Sequence, residues 1–148
     1  MKKIALVLGL VALVFTFASC DDDDTQVSYD SLPTTAKTFI ETHFGGVTVR
    51  LVEKDNDSYD VYLSNGYEID FDKQGIWDNV DGNYQKLPAS FFALSPIDVI
   101  ATYVATQYPS LFITQVDKDV EKNGYEVTLN NNVELIFNWD GTFRSIDY

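Results

Sequence analysis

The sequence predicts an α+β fold: a tandem repeat of one helix and about four antiparallel strands, forming one sheet with two helices packed on one face. Three observations predict it. A strand pattern occurs twice at a fixed offset, each copy is preceded by a helical apolar stripe, and a proline or glycine closes each helix. Tyr59, Val61, Leu63, Asn65, Glu68, Phe71, Gly75 and Asp81 recur as Tyr125, Val127, Leu129, Asn131, Glu134, Phe137, Gly141 and Asp147. A pattern repeated at fixed spacing defines a structural unit.

Within the unit, Tyr59, Val61 and Leu63 alternate with Asp60, Tyr62 and Ser64. Tyr67, Ile69 and Phe71 alternate with Glu68, Asp70 and Asp72. Period-two alternation marks strands with one buried and one wet face. A two-residue turn at Asn65-Gly66 would pair Leu63 with Glu68 and mix core with solvent. A three-residue loop, Ser64 to Gly66, pairs Leu63 with Tyr67 and predicts a left-handed Gly66. Asn132 takes that place in the second copy and tolerates the same conformation. A second turn follows at Asp72 to Gly75, mirrored at Asn138 to Gly141. The runs Ile76 to Val80 and Thr142 to Ile146 then read as one more strand each, and both end in an aspartate.

The first helix runs from Leu32-Pro33 to Phe44. Proline suits a first helical turn. Ala36, Phe39, Ile40 and Phe44 form its apolar stripe, and Gly45-Gly46 stops it. Val47 to Lys54 is a strand, and Asp55 to Ser58 a polar turn. The second helix runs from Pro96 to Tyr108, with Ile100, Tyr103, Val104 and Tyr108 repeating the stripe. Leu111 to Lys118 repeats the first strand, and a two-residue insertion falls near Val120-Glu121. The repeats occupy residues 32–83 and 95–148 of one domain, 32–148. Residues 84–94 join them, and Phe91-Phe92 is expected to pack across the join.

Residues 1–19 stand apart. Lys2 and Lys3 precede an apolar run, Ile4 to Phe17, which is the pattern of a secretory signal. Phe17-Ala18-Ser19-Cys20 resembles a lipobox, with phenylalanine where leucine is usual. Cys20 is the only cysteine and is the expected site of lipid attachment. The membrane link is then through acyl chains on Cys20. Asp21, Asp22, Asp23 and Asp24 follow it. This acidic run resembles the signal that sends Bacteroidetes lipoproteins to the outer face of the outer membrane. Residues 20–31 read as a lipidated acidic tether. The expected location is the cell envelope, as an outer-membrane lipoprotein facing the periplasm or the outside.

The formal charge is −13, and removal of Lys2 and Lys3 with the signal makes it more acidic. That excludes nucleic acid as a natural partner, because phosphate contacts need a basic surface.

The chemical motifs are few. His43 is the only histidine, and near the end of the first helix it reads as a boundary residue favoured there when charged. No nucleophile elbow, zinc motif or phosphate loop is present. Glu68 and Glu134 lie on outward strand positions without cleft-forming insertions and read as solubilising charges rather than a glycosidase pair. Asp55, Asn56, Asp57 and Asp60, and again Asp117, Asp119, Glu121 and Asn123, resemble half of a calcium loop. Neither has its glycine and glutamate in place, so both read as polar turns. No catalytic residue, metal ligand or cofactor is expected.

The segments LPTTAKTFIETHF, LVEKDNDSYDVYLSNGYEIDFDKQG and VDKDVEKNGYEVTLNNNVELIFNWDG resemble the PepSY-like lipoproteins of Bacteroides-type bacteria. The resemblance covers nearly all of residues 32–148. It implies a tandem fold like that of the β-lactamase inhibitor proteins and a secreted or periplasmic place. It also implies no enzymatic activity. The namesake inhibitors grip an enzyme with the open sheet face, and PepSY domains are suspected of restraining peptidases.

The open face is therefore the expected partner-binding surface, for an unknown protein or peptide. Its residues are Arg50, Asp60, Tyr62, Glu68, Asp70, Thr128, Glu134 and Ile136. The alternative is a structural or accessory envelope lipoprotein with no discrete ligand. An enzyme or carbohydrate binder would instead need a cleft with facing acids and a strongly raised carboxylate pKa.

Overall fold

The computed structural model describes residues 25–147, so the signal, Cys20 and Asp21 to Asp24 lie outside the described residues. The elements are β1 (Thr25–Gln26), α1 (Thr34–Phe44), β2 (Val49–Lys54), β3 (Ser58–Leu63), β4 (Glu68–Asp72), β5 (Trp77–Asp81), α2 (Ile97–Gln107), β6 (Ile113–Asp119), β7 (Gly124–Leu129), β8 (Glu134–Phe137) and β9 (Phe143–Asp147). The nine strands form one antiparallel sheet in chain order. The fold is α+β, as the alternation predicts.

One apolar row crosses the sheet. Val52, Val61, Ile69, Val80, Val116, Val127, Leu135 and Ile146 are successive cross-strand partners. Val52 to Leu135 are buried, and Ile146 packs against the same cluster. The row passes through the β5–β6 junction without a break, because Val80 pairs Val116 there. The core is thus one cluster shared by both halves, with each fully buried aliphatic side chain contributing about 1.5–3 kcal/mol.

Both helices lie on this apolar side. Ala36, Ile40 and Phe44 of α1 are buried, as are Ile97, Ile100 and Val104 of α2. Each helix is seated on a glycine turn. Gly75 (φ +81°) lies under α1, where a Cβ would come within 2.8 Å of Pro33 Cβ and 2.9 Å of the Ala36 nitrogen. Gly141 (φ +83°) lies under α2, where a Cβ would approach the Pro96 carbonyl at 2.8 Å and Val99 Cβ at 2.9 Å. Both a left-handed backbone and close helix approach demand glycine at these two sites.

The hairpin argument is met at both copies. Gly66 has φ +92° and Asn132 has φ +64°. The Leu63 amide donates to the Tyr67 carbonyl at 2.8 Å, and the Leu129 amide to the Val133 carbonyl at 2.9 Å. Phe91 is fully buried at the join, edge-on to Phe39 at 6.3 Å and to Trp77 at 5.2 Å. The sides of Trp77 and Phe143, which alternation leaves open, are now fixed. Trp77 meets Phe39 and Tyr125, and Phe143 stacks on Tyr103, so both are on the helix side.

The tether expectation needs a correction at its end. Thr25–Gln26 forms a short strand against Lys54 and Glu53, and the Val27 amide donates to the Val52 carbonyl at 2.9 Å. A helical turn follows at Tyr29–Ser31. The polar residues misled because edge strands are short and wet on one side. Two residues suffice to satisfy part of an otherwise open edge. The sheet therefore has nine strands rather than about eight.

Candidate functional site

With both helices on the apolar side, the opposite face of the sheet carries no helix among the described residues. Two rows of side chains line it. One runs through Glu53, Asp60, Asp70, Asn79, Asp117, Glu126, Ile136 and Ser145. The other runs through Leu51, Tyr62, Glu68, Asp81, Gln115, Thr128, Glu134 and Asp147. Acids are direct cross-strand neighbours at Glu53–Asp60, Asp60–Asp70, Glu68–Asp81, Asp117–Glu126 and Glu134–Asp147. Like charges in that position destabilise a sheet.

The effect on titration follows. Asp70 is pushed up to about 7, first by burial and then by Asp60, Glu68 and Asp117, while the hydrogen bond from Asn79 opposes the rise. Asn79 Nδ2 donates to Asp70 Oδ2 at 3.0 Å, and Gln115 Nε2 donates to Asn79 Oδ1 at 3.0 Å. The Glu68 and Asp117 carboxyls are also raised, mainly by burial and then by neighbouring acids. The Tyr62 phenol is pushed up to about 12 by burial and by the charges of Glu68, Glu53 and Asp60.

The second half differs. Lys122 rises from the β6–β7 turn, and its Nζ bonds Glu126 and, at 2.5 Å, Asp147 Oδ2, with Asp119 at 3.9 Å. The hydrogen bond to Asp147 is the main cause of the raised Lys122 pKa. Glu126, Glu134 and Asp147 offer oxygens within 4.8 Å of one another, the spacing a metal ion needs, but a lysine ammonium is already bonded to two of them.

The expected face residues are only partly brought together. Asp60, Tyr62, Glu68, Asp70, Thr128 and Glu134 all face outward. Ile136 is on this face by register but is 4% exposed, which corrects the expectation that it offers apolar area. Its cross-strand partner Glu126 is tied to Lys122. Arg50 is exposed in a bulge, where Leu51 instead takes the place opposite Tyr62. Sequence reasoning missed Glu53, Asn79, Asp81, Gln115, Asp117 and Asp147. The terminal aspartates of the two copies were the available signal for Asp81 and Asp147.

A hollow of about 340 Å³ lies along the second row, lined by Asp81, Tyr84, Gln115, Thr128 and Glu134. Its two acids stand on strands β5 and β8, separated in the row by Gln115 and Thr128. They are not facing carboxylates of the kind a paired-acid mechanism uses. His43 lies on the helix side, its ring 4.8 Å from Phe39. It is a half-buried boundary residue at the helix end, and burial lowers its pKa, so the apolar neighbourhood opposes the charge that the helix end would favour.

Three solved structures are similar over most of their length. One is described as a "putative periplasmic protein from DUF2874 family" of Bacteroides vulgatus, at 39% identity and TM-score 0.75, covering 86% of this chain and 99% of that one. A second is a "putative calcium-regulated periplasmic protein" of Bacteroides thetaiotaomicron, at 34% identity and TM-score 0.76, covering 86% and 98%. A third is described as a "putative periplasmic protein of unknown function" from Bacteroides vulgatus, at 27% identity and TM-score 0.75, covering 84% and 99%. No curated protein matches the chain. The model of the family described as "Putative beta-lactamase-inhibitor-like, PepSY-like" matches residues 19–61 and 57–145. The chain belongs to this family.

Proposed function

We propose that this chain is a non-enzymatic, lipid-anchored protein of the cell envelope that binds a protein or peptide partner through its open sheet face. In this reading it is a duplicated unit of helix and four strands. Its acyl chains sit on Cys20, and Asp21 to Asp24 act in export to the outer membrane. The periplasmic descriptions of its structural neighbours support the envelope location.

One observation carries the reading. Both helices cover one side, and the other side keeps like charges opposite one another on adjacent strands. That arrangement costs stability and gains nothing inside the fold. A partner laid on the face would offset the cost and add area against Tyr62, an amphipathic ring that loses little entropy on contact. A structural role would place no such demand on the face.

The test is affinity capture from envelope extract with the full chain. The comparison is a Tyr62→Ala, Thr128→Arg double variant and a helix-side Asp98→Asn variant. A partner held by the native chain and the helix-side variant but lost with the double variant is the expected result. Equal retention by all three would remove the open face as the binding surface. In parallel, Cys20→Ser should release the chain from membranes, and mass spectrometry of the native N-terminus reads the acylation directly.

A further inference from the structure

β5 and β9 close the two copies with the same geometry. Val80 lies opposite Ile69 as Ile146 lies opposite Leu135, and each pairing is bulged at the same step, after Asp70 and after Ile136. The helices sit on them alike, Phe39 stacking on Trp77 and Tyr103 on Phe143. The outer sides differ. β6 adds to β5 with Val116 opposite Val80. The Gly82 amide donates to the Thr114 carbonyl at 2.7 Å. Hydrogen-bonded pairs alternate along an antiparallel ladder, so Val80 turns its N–H and C=O toward β6. β9 is the last strand of the sheet and has no outer neighbour among the described residues. By the same alternation Ile146 turns its N–H and C=O outward. Val80 is fully buried beneath β6, whereas Ile146 is only half-buried.

We propose that the β9 edge is a strand-addition site for an extended segment of a partner protein. The segment runs antiparallel to β9 and sets a β-branched aliphatic residue opposite Ile146, as Val116 is set opposite Val80. The site is the rim of the sheet and does not depend on the open face. The β5–β6 pairing is the argument for a strand: the equivalent edge in the same chain takes one, and the apolar row runs on through it. Main-chain hydrogen bonds then give affinity, and the place opposite Ile146 gives selectivity. Charged side chains commonly block an edge, but Arg144 is turned back from this one. Its guanidinium donates to the Lys122 and Asn123 carbonyls in the β6–β7 turn. Two residues beyond Val116, Lys118 lies over the Trp77 ring at 4.1 Å and is attracted by Asp78. Arg144 stands where Asp78 does in the first copy, so the partner segment carries a neutral residue at the place of Lys118. A second copy of this chain is the poorer occupant, because each copy carries a formal charge of −13 and the two repel.

The experiment is hydrogen–deuterium exchange of the full chain, read at single amides, with and without a capped peptide. The peptide is the β6 sequence ITQVDKD with glutamine at the place of Lys118. At a peptide concentration ten times its dissociation constant, the outward Ile146 amide should exchange about tenfold more slowly. N-methylation of the peptide valine keeps its side chain and removes the N–H that would join the ladder, so it should abolish the effect. Ile146→Thr keeps a β-branched residue on the edge and should weaken the peptide about fivefold, while Asp98→Asn on α2 should change nothing. No slowing at millimolar peptide would overturn the proposal, as would equal slowing by the N-methylated peptide. Slowing at Thr25–Gln26 in place of Ile146 would put the peptide on the opposite edge and overturn it too. So would an Ile146 amide that is slow without peptide and quickens on dilution, since the edge would then be a contact between copies. Capture through the open face is read at Tyr62 and Thr128 and stands or falls separately.

Discussion

Asn79 Nδ2 donates to Asp70 Oδ2 at 3.0 Å across neighbouring strands, while Asp70 Oδ1 is buried with no hydrogen-bond partner among the described residues. One oxygen of this carboxyl is thus satisfied and the other is held without a donor. A buried acceptor left unpaired costs free energy, and more when it carries charge.

The pH dependence follows from that pair. Asp70 is raised to about 7 in the folded protein, mainly by burial. The native state then holds a proton that the unfolded chain releases at ordinary carboxylate pH. This contribution to stability is full below the unfolded value, declines as pH rises through the range between the two values, and is lost above about 7. Urea unfolding at pH 5 and pH 8 should therefore show lower stability at pH 8. Asp70→Asn keeps the acceptor for Asn79 and should stabilise the protein at pH 8 by about 1–2 kcal/mol, a figure reduced for partial solvent contact. It should also flatten the slope. An unchanged slope in the variant would show that Asp70 does not titrate there.

Lys122 supports a second prediction. Its ammonium serves Glu126 and Asp147, which approach from different strands. Lys122→Met leaves those acids facing each other without a cation. A loss of about 1 kcal/mol is expected in chemical denaturation. Adding Asp147→Asn should restore part of it, because the second change removes the repulsion that the first exposes. Strict additivity in that double-mutant cycle would mean the two residues are not coupled.

The glycine turns give a third. Gly75→Ala and Gly141→Ala each place a Cβ within 3 Å of helix atoms at a positive φ. Each should cost about 2–3 kcal/mol. Gly66→Asn should cost much less, because Asn132 already serves at the matching turn with φ +64°. Melting temperatures of the three variants decide the matter. A Gly66→Asn loss as large as that of Gly75→Ala would contradict the equivalence of the two hairpins.

The elements that are legible in the sequence are those whose signal is local. Tyr59 to Phe71 alternates strictly, so its strands, loop length and the left-handed Gly66 all follow from one stretch. The site is less legible, since a row across a sheet is assembled from residues far apart in the chain. Asp70, Asn79 and Asp117 meet only once β5 pairs β6, and that pairing joins the two copies. Ile136 misled because alternation gives the face a residue points to, not what its neighbours lay over it. Thr25–Gln26 misled because two polar residues carry no strand pattern; their strand exists through the edge of β2.

Phe91 gives the last prediction. It lies between the copies, fully buried, with its ring against Phe39, Trp77 and Phe92. Phe39 in turn reaches Phe71 at 5.7 Å and Trp77 at 6.2 Å. The cluster thus ties α1, β4, β5 and the connecting segment together. Phe91→Ala should cost about 3–5 kcal/mol, through lost burial and the cavity left behind. Because the apolar row runs unbroken from Val80 to Val116, the two copies should unfold together, and the variant should still show one transition by tryptophan fluorescence and by circular dichroism. Separate transitions in the variant would mean that Phe91, rather than the shared sheet, makes the two copies cooperative.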